Sequence, residues 1–399
     1  MSQRISRRRL LHCATGLAVA TVAATPRRAA ASRRAVASLR AEVKSLSVIS
    51  KLPHRYHGWP TLTRRGNGQL ALVCSGGRDS HVCPFGRVEM MTSHDDGESW
   101  TWPRVLLDSA IDDRDAGVLE TRRGTLLVTT FTSLAYEPIL EKAEKIAGGQ
   151  EGAWPSERLL SWRAARDRLN KGQREQELGV WMIRSIDGGI SWSARYRCRV
   201  NSPHGPIQLA DGRLLYAGKE LWRGKRRIGA CESTDDGKTW RPLAPIPSRE
   251  GDDPANYHEL HAVEAGERRI IAHIRNHNAK DRLQTLQTES TDGGKTWSTP
   301  HPIGVWGYPS HLLRLANGRL LMSYGHRRAP LGNQARVSAD QGLTWSEPLV
   351  ISSDGVSGDL GYPSTVQLDD GWLLTVWYEN MKSSPRAVLR QARWRIRES

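Results

Sequence analysis

One eight-residue motif, S-x-D-x-G-x-[S/T]-W, occurs five times in this chain of 399 residues and constrains its fold more than any other feature. The copies are Ser93–Trp100, Ser185–Trp192, Ser233–Trp240, Ser290–Trp297 and Ser338–Trp345. The Asp and Ser side chains of such a motif accept backbone N–H bonds in a tight turn, the Gly supplies a positive φ, and the Trp anchors the turn against apolar neighbours. The motif therefore predicts five equivalent β-turns.

Successive copies begin 92, 48, 57 and 48 residues apart, which is typical of a supersecondary unit that recurs and stacks on its neighbours. A second repeat of apolar strand, polar turn and apolar strand predicts six hairpins. These are Trp59–Cys74, Gly117–Phe131, Pro206–Gly218, Leu260–Ile274, Pro309–Tyr324 and Pro363–Tyr378. Six hairpins and five turns predict a closed ring of six units. In the last unit, Ala387–Ile396 would be the third strand and Ser45–Ser50 the outer strand.

The motif is the Asp-box, and a chain with five copies resembles the bacterial neuraminidase repeat family, the sialidases and their relatives, from about residue 45 onward. The resemblance implies an all-β fold, a six-bladed β-propeller, which we place at residues 41–399. Because the first gap between Asp-boxes is long, we expect residues 132–179 to be an insertion in the second blade. Ser156–Lys171 has apolar residues at helical spacing, which predicts either a helical cap beside a central pocket or a peripheral packing helix.

The first 40 residues differ in composition from the rest, since they contain nine Arg and no acidic residue. Ser6–Leu11 resembles the twin-arginine export motif, and the apolar stretch that follows, up to Ala24, is too short to span a membrane stably. We therefore expect residues 1–40 to be a signal peptide with a basic linker. The protein is predicted to be periplasmic or secreted, without stable membrane insertion.

The charge of the chain points to an anionic partner. Removing those nine Arg from the net charge of +16 leaves +7, a basic surface that suits an acidic glycan. No stripe of arginine and aromatic residues argues for nucleic acid. Metal-ligand spacing is absent among Cys74, Cys83, Cys198 and Cys231, so we expect buried thiols and neither metal nor cofactor. We also expect a monomer.

Strand order places the segments that enter and leave each hairpin on the face opposite the Asp-boxes, which predicts a purely structural role for the boxes. Ionisable side chains occur in these segments in all six blades. In the sialidases that the chain resembles, a Tyr attacks the anomeric carbon with a Glu as proton acceptor. An Asp is the acid, and three Arg bind the substrate carboxylate. A neutral Tyr avoids repulsion by an anionic sugar, and Arg forks suit a carboxylate.

Matching motifs give the candidate residues that the resemblance implies. Tyr362 enters the last hairpin and is the predicted nucleophile, with Glu259 as its base and Asp79 as the acid. The predicted substrate-binding residues are Arg78, Arg275, Arg327, Arg114, His57 and His204.

The sequence also departs from the family pattern. Gly58-Trp59-Pro60 stands where sialidases have Arg-Ile-Pro, and no single Arg is equivalent to the third Arg of the clamp. Six histidines lie near hairpin starts or ends, where the alternatives are proton carrier, metal ligand or packed core: His57, His81, His204, His258, His261 and His311. The acidic run Asp112–Asp115 leaves an acid/base group, a cation site and a turn cap as alternatives.

Three functions remain open on these grounds. The first is an exported sialidase-like glycoside hydrolase that removes a terminal acidic sugar from a glycan. The second is a polysaccharide lyase or uronic-acid glycosidase on the same propeller, which the missing Arg at position 58 favours. The third is a glycan-binding propeller without catalysis, against which the density of ionisable groups in the predicted pocket argues.

Overall fold

The computed structural model describes residues 39–222 and 226–398. In this part of the chain, β-strands form six four-stranded antiparallel sheets, and the predicted six-bladed β-propeller is confirmed. The predicted twin-arginine signal lies outside the described residues, apart from residues 39 and 40, which belong to the first strand.

The strands follow the chain blade by blade, except that β1 (Leu39–Val48) belongs to blade 6. Blade 1 contains β2 (Tyr56–Arg64), β3 (Leu70–Arg78), β4 (Arg87–Ser93) and β5 (Arg104–Leu107). Blade 2 contains β6 (Asp112–Glu120), β7 (Leu126–Ser133), β8 (Val180–Ser185) and β9 (Tyr196–Arg197). Blade 3 contains β10 (Ile207–Gln208), β11 (Leu214–Lys219), β12 (Ile228–Ser233) and β13 (Arg241–Pro245). Blade 4 contains β14 (Tyr257–Gly266), β15 (Arg269–Asn276), β16 (Gln284–Ser290) and β17 (His301–Trp306). Blade 5 contains β18 (Ser310–Arg314), β19 (Leu320–His326), β20 (Gly332–Ser338) and β21 (Leu349–Ser352), and blade 6 adds β22 (Leu360–Gln367), β23 (Leu373–Glu379) and β24 (Val388–Glu398).

Blade 6 joins the two ends of the described chain. β1 pairs antiparallel with β24, from Leu39 opposite Glu398 to Val48 opposite Arg390, and the sheet order is β1-β24-β23-β22. The predicted closure by the N-terminal segment is confirmed, although the strand covers residues 39–48 rather than 45–50. The pairing satisfies the backbone groups along the outer side of β24 and fixes blade 6 in the ring.

The apolar core is distributed between neighbouring blades. One cluster joins blades 1 and 6 through Leu72, Val376 and Leu389, and another joins blades 3 and 4 through Leu215 and Ile270. All five side chains are buried. Because each interface removes apolar surface of two blades from water, neighbouring blades stabilise one another.

The Asp-boxes form the predicted turns, and the fourth copy shows their bonding. Ser290 Oγ accepts the Gly294 N–H at 2.8 Å and donates to Asp292 Oδ1 at 2.8 Å. Asp292 also accepts hydrogen bonds from the N–H and the hydroxyl of Thr296, at 2.9 and 2.7 Å. Gly294 has a φ of 91°, and a Cβ there would lie 2.7 Å from Leu215, so the turn packs closely on blade 3. The boxes therefore hold turns and blades together.

The insertion between β7 and β8 contains the helices α1 (Glu137–Glu144), α2 (Ser156–Arg166) and α3 (Lys171–Glu177), so the predicted helical insertion in blade 2 is confirmed. The helix expected over Ser156–Lys171 ends at Arg166, and α3 begins with a capping box between Asn170 and Gln173. Trp162 of α2 is 1% exposed and packs with Cys83, in the loop after β3. The insertion thus supports a loop of blade 1.

No helix within residues 39–222 and 226–398 is long and apolar enough to cross a membrane. Free thiols are found at Cys74, Cys83, Cys198 and Cys231. Cys198 is partly exposed, which corrects the expectation of four buried thiols.

The bonding of the fourth Asp-box predicts that Asp292→Ala lowers the thermal unfolding midpoint, because two donors of Thr296 lose their acceptor. We expect a loss of about 1 kcal/mol in the free energy of unfolding, since the turn lies at the surface. Scanning calorimetry measures the shift. Lys295→Ala, which changes an exposed side chain in the same turn, is the control. Equal midpoints for the two variants would contradict the structural role of the box.

Candidate active site

Four inner strands, β2, β6, β14 and β22, are bent near their first residues, and each bend places one side chain. The residues at the bends, Trp59, Asp115, Glu259 and Tyr362, have φ of 52°, 46°, 36° and 54°, in the left-handed region. The strand registers shift at the same points, which is the pattern of a β-bulge. Because such a conformation costs a non-glycine residue about 1–3 kcal/mol, its occurrence in four blades indicates a functional site.

Two of these side chains meet across the ring. The Tyr362 hydroxyl of blade 6 donates to Glu259 Oε1 of blade 4 at 2.5 Å. Arg275 of β15 donates to the other carboxylate oxygen, Oε2, at 2.6 Å and to the Tyr362 hydroxyl oxygen at 3.2 Å. A phenol, a carboxylate and a guanidinium therefore form a closed triangle. The structure brings together these three residues, which the sequence analysis proposed for one pocket.

The electrostatics of this triangle keep the proton on the phenol. Burial, and then the charge of Glu259, raise the pKa of Tyr362 well above its usual value. Burial would also raise the pKa of Glu259, but the charge of Arg275 and the hydrogen bonds from Tyr362 and Arg275 outweigh it and lower that pKa below its usual value. At neutral pH the phenol is therefore neutral and the carboxylate charged, so Glu259 is able to accept the phenol proton.

Arg327 lies beside the triangle. The guanidinium carbons of Arg275 and Arg327 are 4.4 and 5.2 Å from the ring centre of Tyr308, and that of Arg327 is 6.0 Å from the ring centre of Tyr362. Arg327 Nε donates to the Leu360 carbonyl at 3.0 Å. Its two terminal nitrogens make no hydrogen bond within the described part of the chain. Arg327 is therefore placed to bind an anion next to Tyr362.

Trp59 follows Gly58, the position at which the resemblance places the first clamp Arg. Its ring centre lies 6.3 Å from that of Tyr362, in an edge-to-face arrangement. The guanidinium carbons of Arg114 and Arg78 lie 4.5 and 5.0 Å from the same Trp59 ring. Arg114 Nη1 is also 3.5 Å from Asp112. An indole with two stacked cations thus replaces a single guanidinium at this side of the site.

Arg78 lies in the protein interior, and the substrate-binding role predicted for it does not hold in this structure. Arg78 is 0% exposed and binds both carboxylate oxygens of Asp112, at 2.7 and 3.0 Å, while its other N–H groups bond to Ser75 and to backbone carbonyls. No donor of Arg78 is left for a substrate carboxylate. Asp79 accepts the indole N–H of Trp162 at 2.9 Å, so this carboxylate anchors α2.

His57 and His204 are packed inside the propeller, which corrects their assignment to substrate binding. His57 is 1% exposed, its Nε2 lies 3.7 Å from Glu89, and burial lowers its pKa to about 4. His204 is 2% exposed, and its ring centre lies 5.2 and 5.0 Å from those of His261 and His311. In residues 39–222 and 226–398 neither ring contacts Tyr362 or Glu259. Core packing is the alternative that the structure supports for both.

Asp115 is a candidate whose role the sequence left open. It is 6% exposed, and burial, with a smaller contribution from Glu259 and partly offset by Arg114, raises its pKa to about 7. Its carboxyl group makes no hydrogen bond to another described residue. The sequence signal was the acidic run Asp112–Asp115. The bend in β6 gives the two carboxylates different surroundings. Asp112 pairs with Arg78 in the interior, whereas Asp115 lies beside the triangle.

Comparison with known proteins agrees with this fold. The sequence profile of the BNR repeat-like domain matches residues 153–375. A search among curated protein sequences gives no match.

Several solved structures share the propeller. A protein of unknown function from Dyadobacter fermentans DSM 18053 is 24% identical, with a TM-score of 0.71, and the match covers 90% of this chain and 99% of that one. The NanB sialidase from Streptococcus pneumoniae is 13% identical, with a TM-score of 0.61 and coverage of 88% and 70%. The intramolecular trans-sialidase from Ruminococcus gnavus is 12% identical, with a TM-score of 0.58 and coverage of 86% and 94%. These similarities show a common fold, and the profile match shows that this protein belongs to the BNR repeat-like family of Asp-box β-propellers.

Proposed function

We propose that the protein is a glycoside hydrolase with sialidase-like chemistry, which removes a terminal acidic sugar from a glycan. The observation that carries this proposal is the 2.5 Å hydrogen bond from Tyr362 to Glu259, with Arg275 bonded to both. A tyrosine becomes nucleophilic only when a base takes its proton, and Glu259 is the base in contact with it. Two of the proteins with this fold are a sialidase and a trans-sialidase, which supports the same reaction class.

In the proposed reaction, the Tyr362 oxygen attacks the anomeric carbon while its proton passes to Glu259. The bond from that carbon to the leaving oxygen breaks, and an acid on the protein gives this oxygen a proton. The nucleophile is neutral before the attack, so the carboxylate of an acidic sugar does not repel it. Arg275, 3.2 Å from the phenol oxygen, stabilises the negative charge that develops there. Water then attacks the anomeric carbon and gives a proton to the group that protonated the leaving oxygen. The bond between the sugar and Tyr362 breaks, and the phenol regains its proton from Glu259.

Arg275 and Arg327 are the cations proposed to bind the substrate carboxylate. Both guanidinium groups lie over Tyr308, and Arg327 retains two terminal nitrogens without a hydrogen bond in the described residues. Two converging guanidinium groups suit one carboxylate. Arg114 is a third cation, stacked at 4.5 Å on Trp59, whose ring centre is 6.3 Å from that of Tyr362.

A second candidate is an enzyme for uronic acids, either a glycosidase or a polysaccharide lyase. The observation that favours it is the loss of the three-Arg clamp, since Gly58 stands at the first clamp position and Arg78 is bonded to Asp112. In a lyase, Tyr362 and Glu259 would remove the proton next to the substrate carboxylate, and the product would be an unsaturated uronate. Such a product absorbs ultraviolet light, whereas a hydrolysis product does not.

Export to the periplasm or medium is part of the proposal, and the twin-arginine motif Ser6–Leu11 supports it. A fusion of residues 1–40 to a reporter protein should leave the cytoplasm, because twin-arginine signals are recognised by an export receptor. Replacing Arg7 and Arg8 by Lys in the same fusion is the control and should abolish export. A reporter retained in the cytoplasm with the native signal would contradict the predicted location.

The proposed nucleophile predicts a large kinetic effect. Against a panel of fluorogenic sialosides and uronosides, the native protein should show turnover, and Tyr362→Phe should lower kcat at least about 10³-fold. Glu259→Gln should lower kcat about 10²–10⁴-fold, because the phenol loses its base. The matched control is Tyr196→Phe, which removes a hydroxyl bonded to the Gly237 carbonyl far from the triangle and should keep full activity.

Three results would change this assignment. Undiminished turnover by Tyr362→Phe would exclude it as the nucleophile. An unsaturated product from a polyuronate would replace the hydrolase by the lyase. Glycan binding without turnover by the native protein would leave a binding propeller.

Asp115 makes the free energy of unfolding depend on pH. Its pKa is raised to about 7 in the folded protein, chiefly by burial, whereas an Asp in an unfolded chain titrates near 3.9. Between these two values the folded protein holds a proton that the unfolded chain has released, so stability falls as pH rises from about 4 to about 7. The loss from this group is at most about 4 kcal/mol.

The Asn of Asp115→Asn cannot ionise. When the pH is raised from about 5 to about 8, this variant should therefore lose less free energy of unfolding than the native protein. Urea unfolding at the two pH values measures the difference. Glu141→Gln, which changes an exposed carboxyl group on α1, is the control and should follow the native protein. If Asp115→Asn and the native protein changed equally with pH, Asp115 would not be the group responsible.

A further inference from the structure

His81 lies in the loop between β3 and β4 and forms a pair with a carboxylate of blade 6. Its Nδ1 is 2.8 Å from Asp359 Oδ1 and 2.9 Å from the Tyr56 hydroxyl oxygen. Asp359 also accepts hydrogen bonds from the hydroxyls of Tyr56 and Tyr378, at 3.1 and 2.9 Å. A carboxylate that accepts the Nδ1 proton fixes the orientation and the tautomer of an imidazole.

The other side of the imidazole is open. The His81 side chain is 47% exposed, and its Nε2 makes no hydrogen bond within residues 39–222 and 226–398. By contrast, Tyr362 is 5% exposed. A sugar bound at Tyr362 would therefore be enclosed, and the group leaving it would extend towards the exposed imidazole.

Aromatic rings link His81 to the nucleophile. The His81 and Trp59 ring centres are 5.0 Å apart, and the Trp59 and Tyr362 ring centres are 6.3 Å apart, both in edge-to-face contacts. Tyr378, which donates to Asp359, has its ring centre 5.8 Å from that of Tyr362. Asp359 and Tyr362 lie on either side of the first residues of β22. The pair and the nucleophile thus belong to one cluster of side chains.

The loop that carries His81 is fixed from two sides. Arg78 donates to the His81 carbonyl at 3.1 Å, and Arg78 is itself held by Asp112. Asp79 bonds to Trp162 of the insertion at 2.9 Å. The Arg78 guanidinium is thus committed to structural contacts, whereas the His81 imidazole presents a nitrogen to solvent that bonds to none of the described residues.

We propose that His81 is the catalytic residue that exchanges a proton with the leaving group, and that Asp359 is its positioning residue. This inference rests on the proposed hydrolysis by Tyr362. It assigns to an imidazole the role that the sequence analysis gave to Asp79.

Every proton in the proposed reaction has a donor and an acceptor. As the Tyr362 oxygen bonds to the anomeric carbon, the bond from that carbon to the leaving oxygen breaks, and the His81 Nε2 proton passes to that oxygen. The leaving group departs as a neutral alcohol, and the Tyr362 proton resides on Glu259. In the second half, neutral His81 takes a proton from the attacking water, Tyr362 leaves the anomeric carbon, and Glu259 returns the proton to the phenol.

Asp115 is the competing acid, because its carboxyl group is protonated up to about pH 7. It is 6% exposed and interacts electrostatically with Glu259, so it is enclosed by protein. A leaving group that must depart to solvent is better served by the exposed His81. The experiment therefore includes both residues.

The test compares two glycosides of the sugar found in the substrate screen, one with a dinitrophenyl leaving group and one with an alkyl leaving group. A dinitrophenolate departs without a proton, whereas an alkoxide needs one. His81→Gln should lower kcat for the alkyl glycoside about 10²–10⁴-fold and for the dinitrophenyl glycoside less than about 10-fold. Asp359→Asn should give a smaller loss with the same preference for the alkyl glycoside, because the imidazole loses the partner that orients it. His94→Gln, a change in the first Asp-box, is the control with unchanged rates.

Each outcome decides between the alternatives. Equal losses on both glycosides in His81→Gln, with an unchanged unfolding midpoint, would overturn the proton-transfer role while leaving the proposed hydrolysis intact. A selective loss on the alkyl glycoside in Asp115→Asn instead of His81→Gln would transfer the role to Asp115. If the native protein hydrolysed neither glycoside, both the proposed function and this inference would fall.

Discussion

The hydrogen bond between the proposed nucleophile and its base crosses from one blade to another, so the closure of the ring is the constraint on which the rest depends. β1 pairs with β24 along its whole length and holds blade 6 in place. Blade 6 supplies Tyr362, whose partner Glu259 comes from blade 4. Because a hydrogen bond weakens steeply with distance and angle, the 2.5 Å contact between them requires blades fixed relative to one another. Closure by backbone pairing and apolar packing between blades provides that rigidity.

The Asp-boxes lie on one face of the propeller, and the residues of the candidate site lie on the other. On one face, the Asp-boxes satisfy their own turns with short local bonds, such as those between Ser290, Asp292 and Gly294. On the other face, Glu259 and Tyr362 occupy a backbone conformation that only the surrounding structure maintains. Strain of this kind persists where neighbouring contacts over-determine the backbone. The well-bonded turns and the packed blade interfaces supply those contacts.

The insertion in blade 2 extends this support to the edge of the candidate site. Trp162 of α2 is buried and donates to Asp79, next to the loop residue His81. Arg78, paired with Asp112, holds the same loop through its backbone carbonyls. Residues that resemble substrate ligands in the sequence thus act by fixing the loop on which a solvent-exposed imidazole is presented.

The fold and the central triangle could be predicted from the sequence because their signals are local. In each Asp-box the bonds among the Ser, Asp, Gly and Ser/Thr positions join residues four apart or fewer, so the motif by itself determines the turn. The positions at which Tyr362 and Glu259 enter their hairpins likewise determined that both side chains reach the same end of the ring. Arg275 followed from its place at the end of the hairpin that Glu259 begins.

Only the tertiary structure decided the roles of the remaining residues. Arg78 and Asp79 are neighbours in the sequence, yet their partners, Asp112 and Trp162, lie 34 and 83 residues away. Whether a guanidinium is free for a substrate or saturated by a buried carboxylate depends on such distant contacts. The same holds for His81, whose partner Asp359 is 278 residues away. Sequence determined which chemical groups reach the site's end of the ring, and packing between blades decided which of them remain available to a ligand.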